Sequence, residues 1–245
     1  MSEQRFDTPG PVRLEIKVAA GDVEVTSVEG STSSVTLAGS ERLVAAARVR
    51  LVGDRLVVEQ RRKSLLSMFD RSGEPLHVLA RVPSGSAVEI ATASVDATLD
   101  GSFAHLEMRS ASGDVTAIGE LTGDASVESV SGDVRLPLVG GDLTVRTVSG
   151  DVEAESVDGS MTVRSVSGDV RVGSLRNGRV TVHSVSGDVE LGIASGTSVD
   201  VDAGSASGEL SSEVPLSDTR AEDGGPTVVI RSNTVSGDFR VVRAA

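Results

Sequence analysis

The sequence predicts an all-β fold: a single-domain parallel β-solenoid (β-helix) with about 18 residues per coil and two nine-residue strand-turn units in each coil. Three observations lead to this prediction: a recurring six-residue motif, glycines at regular intervals, and alternation of apolar and polar residues between those glycines. Only 2% of the 245 residues are aromatic, so small and β-branched side chains must fill the core.

The recurring motif is SVSGDV, with close variants. It begins at Ser110, Ser129, Thr147, Ser165 and Ser184 and, in weaker form, at Ser205 and Thr234. From Gly113 to Gly187 the glycines of this motif are 18 or 19 residues apart, and a second set of glycines falls near the midpoints. The repeating unit is therefore nine residues long.

Apolar and polar residues alternate within each unit. Leu143 and Val145 flank the polar Thr144, for example, and a further apolar residue such as Val148 precedes the turn. A period of two is typical of a strand with one buried face. The glycine that ends the unit permits the positive φ of a tight corner, and such short strands must stack on one another to form a core.

A register of 18 residues can be tested on the sequence itself. Residues one coil apart should lie directly above one another and have complementary side chains. One column alternates in charge: Arg135, Glu153, Arg171 and Glu190. A second column is hydroxylic: Ser126, Thr144, Thr162 and Thr181. Both columns favour the 18-residue coil.

We expect residues 1–245 to form one domain. Its parts are N-terminal strands over 11–60, an inserted loop or cap over 61–74, the regular repeat over 75–196 and looser C-terminal coils over 197–245. The pair Gly53-Asp54 indicates a turn between longer strands. The final units, from residue 226 onward, are expected to close the carboxyl end.

Three features together resemble a known family: an AGDVEV segment from Ala20, an apolar strand ending in VPSGS from Val82, and the serial SVSGDV units. They resemble the bacterial β-strand-repeat family called Toastrack, which carries the label putative adhesin and has no established biochemical activity. The resemblance covers nearly the whole chain. It implies a β-solenoid, and a place beside membrane-stress or transcriptional signalling components.

Composition argues against several classes of function. A net charge of −13 repels phosphate backbones and anionic lipid, so we expect no nucleic-acid partner. No run of about 18 apolar residues is present, so we expect no stable membrane insertion, and the amino terminus lacks the pattern of a signal peptide. We therefore expect a cytoplasmic protein.

One column of carboxylates is a candidate cation site: Asp133, Asp151, Asp169 and Asp188. Calcium requires six to eight oxygen ligands, whereas the repeat supplies one carboxylate per coil. We favour the interpretation that these side chains cap backbone amides at the corner, and we expect no metal and no cofactor.

A basic and apolar segment stands out in an otherwise acidic chain. Its candidate partner-binding residues are Arg61, Arg62, Lys63, Leu65, Leu66, Met68 and Phe69. Basic and apolar residues together suit docking to a partner. The alternative, which we favour, is a loop or short helix that covers an open end of the solenoid.

We identify no catalytic residues in the sequence, and we expect the protein not to be an enzyme. The repeated serines do not form a GxSxG nucleophile motif. The predicted function is a non-catalytic interaction scaffold with a protein partner, in a bacterial envelope-stress or signalling system. The alternatives are a self-assembling, filament-forming solenoid and a cell-surface adhesin.

Overall fold

The structure is a computed structural model that describes residues 1–60, 75–214 and 225–244. Most of these residues lie in strands, and most strands pair in parallel, which confirms the predicted all-β solenoid. One helix lies within the described ranges, α1 (Glu41–Ala46). No helix in that part of the chain is long and apolar enough to cross a bilayer.

The strands fall into three groups along the chain. The amino-terminal group is β1 (Ser2–Asp7), β2 (Arg13–Val28), β3 (Thr32–Ala38), β4 (Ala47–Val52), β5 (Arg55–Gln60), β6 (Leu76–Pro83) and β7 (Ser86–Arg109). The repeat forms β8 (Val115–Leu121), β9 (Ala125–Glu128), β10 (Val134–Val139), β11 (Leu143–Arg146), β12 (Val152–Val157), β13 (Met161–Arg164), β14 (Val170–Leu175), β15 (Gly178–Ser186) and β16 (Val189–Ile193). The carboxyl-terminal group is β17 (Ser198–Ser207), β18 (Leu210–Ser212), β19 (Thr227–Ser236) and β20 (Phe239–Arg243).

The repeat stacks in two parallel ladders. The first ladder contains β8, β10, β12, β14 and β16, and the second contains β9, β11, β13 and β15. Paired residues are 18 or 19 positions apart, which confirms the predicted coil. The charge column is also confirmed, since Glu153 lies between Arg135 and Arg171. In the second ladder Thr144 lies between Ser126 and Thr162, as predicted.

The amino-terminal strands extend the same stack. β2 pairs in parallel with β7 on one side, and with β5 and then β6 on the other. Three antiparallel pairs, which the sequence pattern did not predict, lie beyond them: β4 with β5, β3 with β6, and β1 with β3. The predicted turn at residues 53 and 54 connects β4 to β5, and so tight a turn can only join antiparallel strands.

The last coil in sequence is not the last coil in the stack. β19 pairs with β15 on one side and β17 on the other, and β20 lies in the same way between β16 and β18. The expectation that the final units close the carboxyl end is therefore wrong. The coil formed by β19 and β20 buries Ile230 and Phe239, whereas all of β18 is exposed. The more polar coil of β17 and β18 therefore takes the outer position.

Glycines form a column where successive coils turn after the second ladder. Gly132, Gly150 and Gly168 all have φ between +119° and +128°, a region that side chains rarely adopt. A Cβ atom placed on Gly150 would lie 2.1 Å from the carbonyl oxygen of Gly132. Both the backbone angle and the close approach of the coils therefore require glycine at this corner.

One carboxylate is buried near the amino-terminal end of the solenoid. Glu15 on β2 has a side chain that is only 4% accessible, and Arg55 on β5 donates to its Oε1 atom, with Nε at 2.7 Å. Lys17 lies 3.2 Å from the other carboxylate oxygen. The hydrogen bond from Arg55 is the main cause that lowers the pKa of Glu15, and it outweighs desolvation, which raises it.

We expect Gly150→Ala to lower the free energy of unfolding by about 3–5 kcal/mol, because the new methyl group adds a clash to a strained φ. Chemical denaturation followed by circular dichroism measures this. Gly196→Ala is the matched control, because Gly196 has φ +80° but open space around its Cβ position. This substitution should lower the free energy of unfolding by about 1–2 kcal/mol. Equal losses of stability at both positions would contradict the close contact between coils.

We expect Glu15→Gln to lower the free energy of unfolding by about 1.5–3 kcal/mol at neutral pH and to lose this effect in acid. The pKa of Glu15 is lowered in the folded state. Its stabilising charge is therefore fully effective above the unfolded pKa, and the effect disappears as pH falls through the folded pKa. Denaturation from pH 7 downward tests this. Glu153→Gln, at an exposed carboxylate, is the control, and a pH-independent difference at Glu15 would contradict the prediction.

Candidate interaction surface

A column of exposed valines runs along the solenoid at the end of the second ladder. We call it the valine stripe: Val130, Val148, Val166, Val185 and Val235. Each side chain is between 47% and 54% exposed, and each lies one coil from the next. These five account for nearly half of the eleven large hydrophobic residues that are exposed in the described ranges. Exposed apolar surface is therefore concentrated in one line.

Strict alternation along the strand explains why these valines face outward. Leu143, Val145 and Thr147 are buried, whereas Arg146 and Val148 are exposed. The buried Thr147 hydroxyl donates to the carbonyl oxygen of Ser149 at 3.1 Å, and equivalent bonds recur in neighbouring coils. The polar side chain of the motif thus turns inward at the corner, and the apolar one turns outward.

The backbone carbonyls of the valine stripe already accept hydrogen bonds within the solenoid. The N–H of Ser149 donates to the carbonyl of Val130, and the N–H of Ser167 donates to the carbonyl of Val148, at 2.9 and 2.8 Å. The stripe therefore offers a partner mainly its side chains.

A mainly basic column borders the valine stripe on its amino-terminal side. We call it the arginine column: Arg109, Glu128, Arg146, Arg164 and His183. Glu128 forms ion pairs with Arg109 and Arg146, at 3.4 and 2.7 Å. An open groove of about 440 Å³ lies between this column and the stripe, from Arg109 to Val148. Arg164 stacks directly between Arg146 and His183, so basic side chains adjoin one another there.

The predicted carboxylate column borders the stripe on its other side and forms hydrogen bonds between coils. We call it the aspartate ladder: Asp96, Asp114, Asp133, Asp151, Asp169, Asp188 and Asp238. The N–H of Asp151 donates to Oδ1 of Asp133 at 3.0 Å, and the N–H of Asp169 donates to Oδ1 of Asp151 at 2.8 Å. Each carboxylate thus caps the amide of the next coil, which offsets the repulsion between like charges.

The structure brings the four predicted aspartates together in this ladder. Within the described ranges, no group of three or more His, Asp or Glu side chains is arranged to hold a metal ion. The candidate partner-binding residues between Arg61 and Phe69 lie outside the described residues. Sequence reasoning missed the valine stripe, although strict alternation through residues 143–148 was the signal that would have placed Val148 outside.

The family comparison matches residues 12–242 to Toastrack DUF4097. The chain belongs to the Toastrack family. The resemblance inferred from the SVSGDV units is thereby confirmed, and the Toastrack model spans every strand from β2 to β19. No protein of curated function is significantly similar in sequence.

Solved structures of similar fold include two proteins described as putative adhesins. A putative adhesin from Parabacteroides distasonis matches with a TM-score of 0.51 and 11% identity, over 98% of this chain and 96% of that one. A putative adhesin from Bacteroides fragilis matches with a TM-score of 0.49 and 14% identity, over the same shares of the two chains. At such identities the first match supports the Toastrack fold and nothing more specific.

We expect Asp151→Ala to destabilise the protein by about 1–2 kcal/mol, because the amide of Asp169 loses its acceptor. Asp151→Asn is the matched variant. It keeps an oxygen at that position and removes a like charge, so it should be neutral or stabilising. Thermal and chemical denaturation measure both variants. A melting temperature that rises with calcium in the native chain, but not in Asp151→Asn, would contradict the capping role and indicate a row of cations.

Proposed function

We propose that this protein is a non-catalytic interaction scaffold whose valine stripe contacts another protein. The stripe is the observation that carries the proposal. The outward columns beside it are charged or hydroxylic, so a continuous line of valines departs from the polar surface that the ladders otherwise present. Apolar surface gathered in one place, with a polar rim, is typical of a protein interface.

The rigidity of the solenoid supports a scaffold role. The side chains of the stripe are held at a fixed spacing of about 4.8 Å by the parallel ladders. A partner would find them already ordered, so binding would cost little conformational entropy. A preformed surface of this kind suits recognition rather than bond-making chemistry.

We propose that the scaffold acts in the cytoplasm and, as the resemblance to Toastrack proteins implied, within a bacterial envelope-stress or signalling system. A cell-surface adhesin is the alternative, and it requires export. Fractionation of the source cells separates the two, because protein found outside the cell would favour the adhesin.

We expect a photo-crosslinking side chain at position 166, introduced in the source cells, to capture a protein at the stripe. The same side chain at position 118 is the control, since Ile118 is 55% exposed but lies on the first ladder. Denaturing electrophoresis of the adducts measures the result. Equal capture at both positions, or none at either, would contradict an interaction surface at the valine stripe.

A filament is the second candidate, and the charges at the two ends of the second ladder favour it. β4 carries Arg48 and Arg50, whereas β17 carries Asp200 and Asp202, so the two outermost strands bear opposite charges. Arg50 already pairs with Glu59, and both aspartates pair with Arg231. Light scattering over a concentration series tests this candidate, on the intact chain and on one with residues 61–74 replaced by a Gly-Ser linker. If the assemblies formed by the intact chain keep increasing in mass with concentration, filaments are favoured. Assembly only after replacement would indicate that the segment is a cap.

A further inference from the structure

We propose that the partner at the valine stripe is a second copy of this chain, arranged side by side and parallel. The two solenoids would be related by a twofold axis that runs along the direction of stacking. This inference rests on the proposed function, that the stripe is a protein-contact surface, and adds the identity of the partner and its orientation.

The periodicity of the stripe favours a second copy as its partner. Because its backbone carbonyls are already paired, the stripe presents mainly its side chains to a partner. A partner can contact every valine only if its own apolar groups repeat at the strand spacing of about 4.8 Å. A second copy meets this condition, and a twofold axis brings each valine opposite the same valine of the other chain.

The charged columns determine the orientation. Because all strands of the ladders run in parallel, the coils cross the surface in the same order: arginine column, valine stripe, aspartate ladder. Glu128 and Asn233 replace the basic residue in the coils of Val130 and Val235. Two such surfaces placed face to face and parallel bring the arginine column of each copy against the aspartate ladder of the other. An antiparallel arrangement would instead place basic against basic and acidic against acidic.

Both columns contain neighbouring like charges. Arg146 and Arg164 are paired residues on adjacent strands, and Arg146 also forms an ion pair with Glu128. The aspartate ladder uses Oδ1 of each member in the ladder, and Oδ2 of Asp133 and of Asp169 in ion pairs with Arg135 and Arg171. Like charges directly opposite one another on neighbouring strands are destabilising. Complementary columns across the interface would relieve this repulsion and favour one orientation.

The size of the surface predicts a weak dimer. Ala111 and Ala206 extend the stripe by one coil at each end, which gives seven coils and a length of roughly 34 Å. From the arginine column to the valine stripe the chain is extended over two residues, roughly 7 Å, and beyond the stripe it turns at the glycine corner. A contact confined to so narrow a strip falls at the low end of specific interfaces. The dimer should therefore depend on concentration.

The chain contains no cysteine, so single cysteines report on this contact without interference. We would make Val130→Cys, Val166→Cys and Val235→Cys in the full-length protein and oxidise each under mild conditions. In a parallel dimer every position faces itself, so all three variants should form disulfide-linked dimers. In an antiparallel dimer only Val166→Cys would do so, because it lies at the middle of the stripe. Ile118→Cys, on the other ladder, is the control and should stay monomeric.

A second variant keeps the test independent of disulfide chemistry. Val148→Thr, Val166→Thr and Val185→Thr together preserve shape and strand preference but remove apolar surface. Sedimentation from roughly 1 µM to 1 mM, a range suited to weak interfaces, should show association at least about tenfold weaker for this triple variant. An Ile118→Thr variant should associate like the native chain.

Several results would overturn the inference. Crosslinking of Val166→Cys alone would refute the parallel orientation. A native chain that sediments as a monomer throughout, with no crosslinking at any stripe position, would exclude the second copy. In that case capture of a different protein at position 166 in cells would leave the proposed function intact, whereas no capture would remove both proposals.

Discussion

The close contact between successive coils at the glycine corner is the constraint on which the rest of the structure depends. The coils approach so closely that a Cβ atom on Gly150 would overlap the carbonyl oxygen of Gly132. Strand pairing on both ladders continues through every coil only if the chain turns at the same place each time. Glycine at that position permits both the turn and the approach, so a uniform corner sets the register of everything stacked on it.

A uniform register has a second consequence, because it turns each outward residue of the motif into a continuous column. Because the motif repeats, each outward side chain recurs in every coil, whether the contacts between its copies are favourable or not. A column of aspartates would repel itself, but the same geometry brings each Oδ1 to the amide of the next coil, where it accepts a hydrogen bond. A column of valines has no such internal use, since an apolar side chain forms no hydrogen bond between coils. This difference is why the valine stripe, and not the aspartate ladder, carries the proposed function.

The two ends of the solenoid depart from the repeat in different ways. At the amino-terminal end, antiparallel strands replace the coil, and β1 and β4 form the outer edges among the described residues. At the other end the chain passes over one coil, forms β17 and β18, and returns to fill the gap with β19 and β20. Both solutions place less regular, more polar strands on the outside, where apolar coils would expose their faces and edges.

The sequence by itself determined the regular part of this protein: the 18-residue coil, the two units per coil, the alternating charge column and the Toastrack relationship. Local patterns were sufficient there, because each coil contacts its neighbours at a constant separation along the chain. Only the tertiary structure decided the order of the last coils, since β15 pairs with a strand 50 residues away and no local spacing encodes that choice. Alternation through residues 143–148 already placed Val148 on the outward face, and only the structure showed how far each valine is exposed, because exposure depends on how the corner packs.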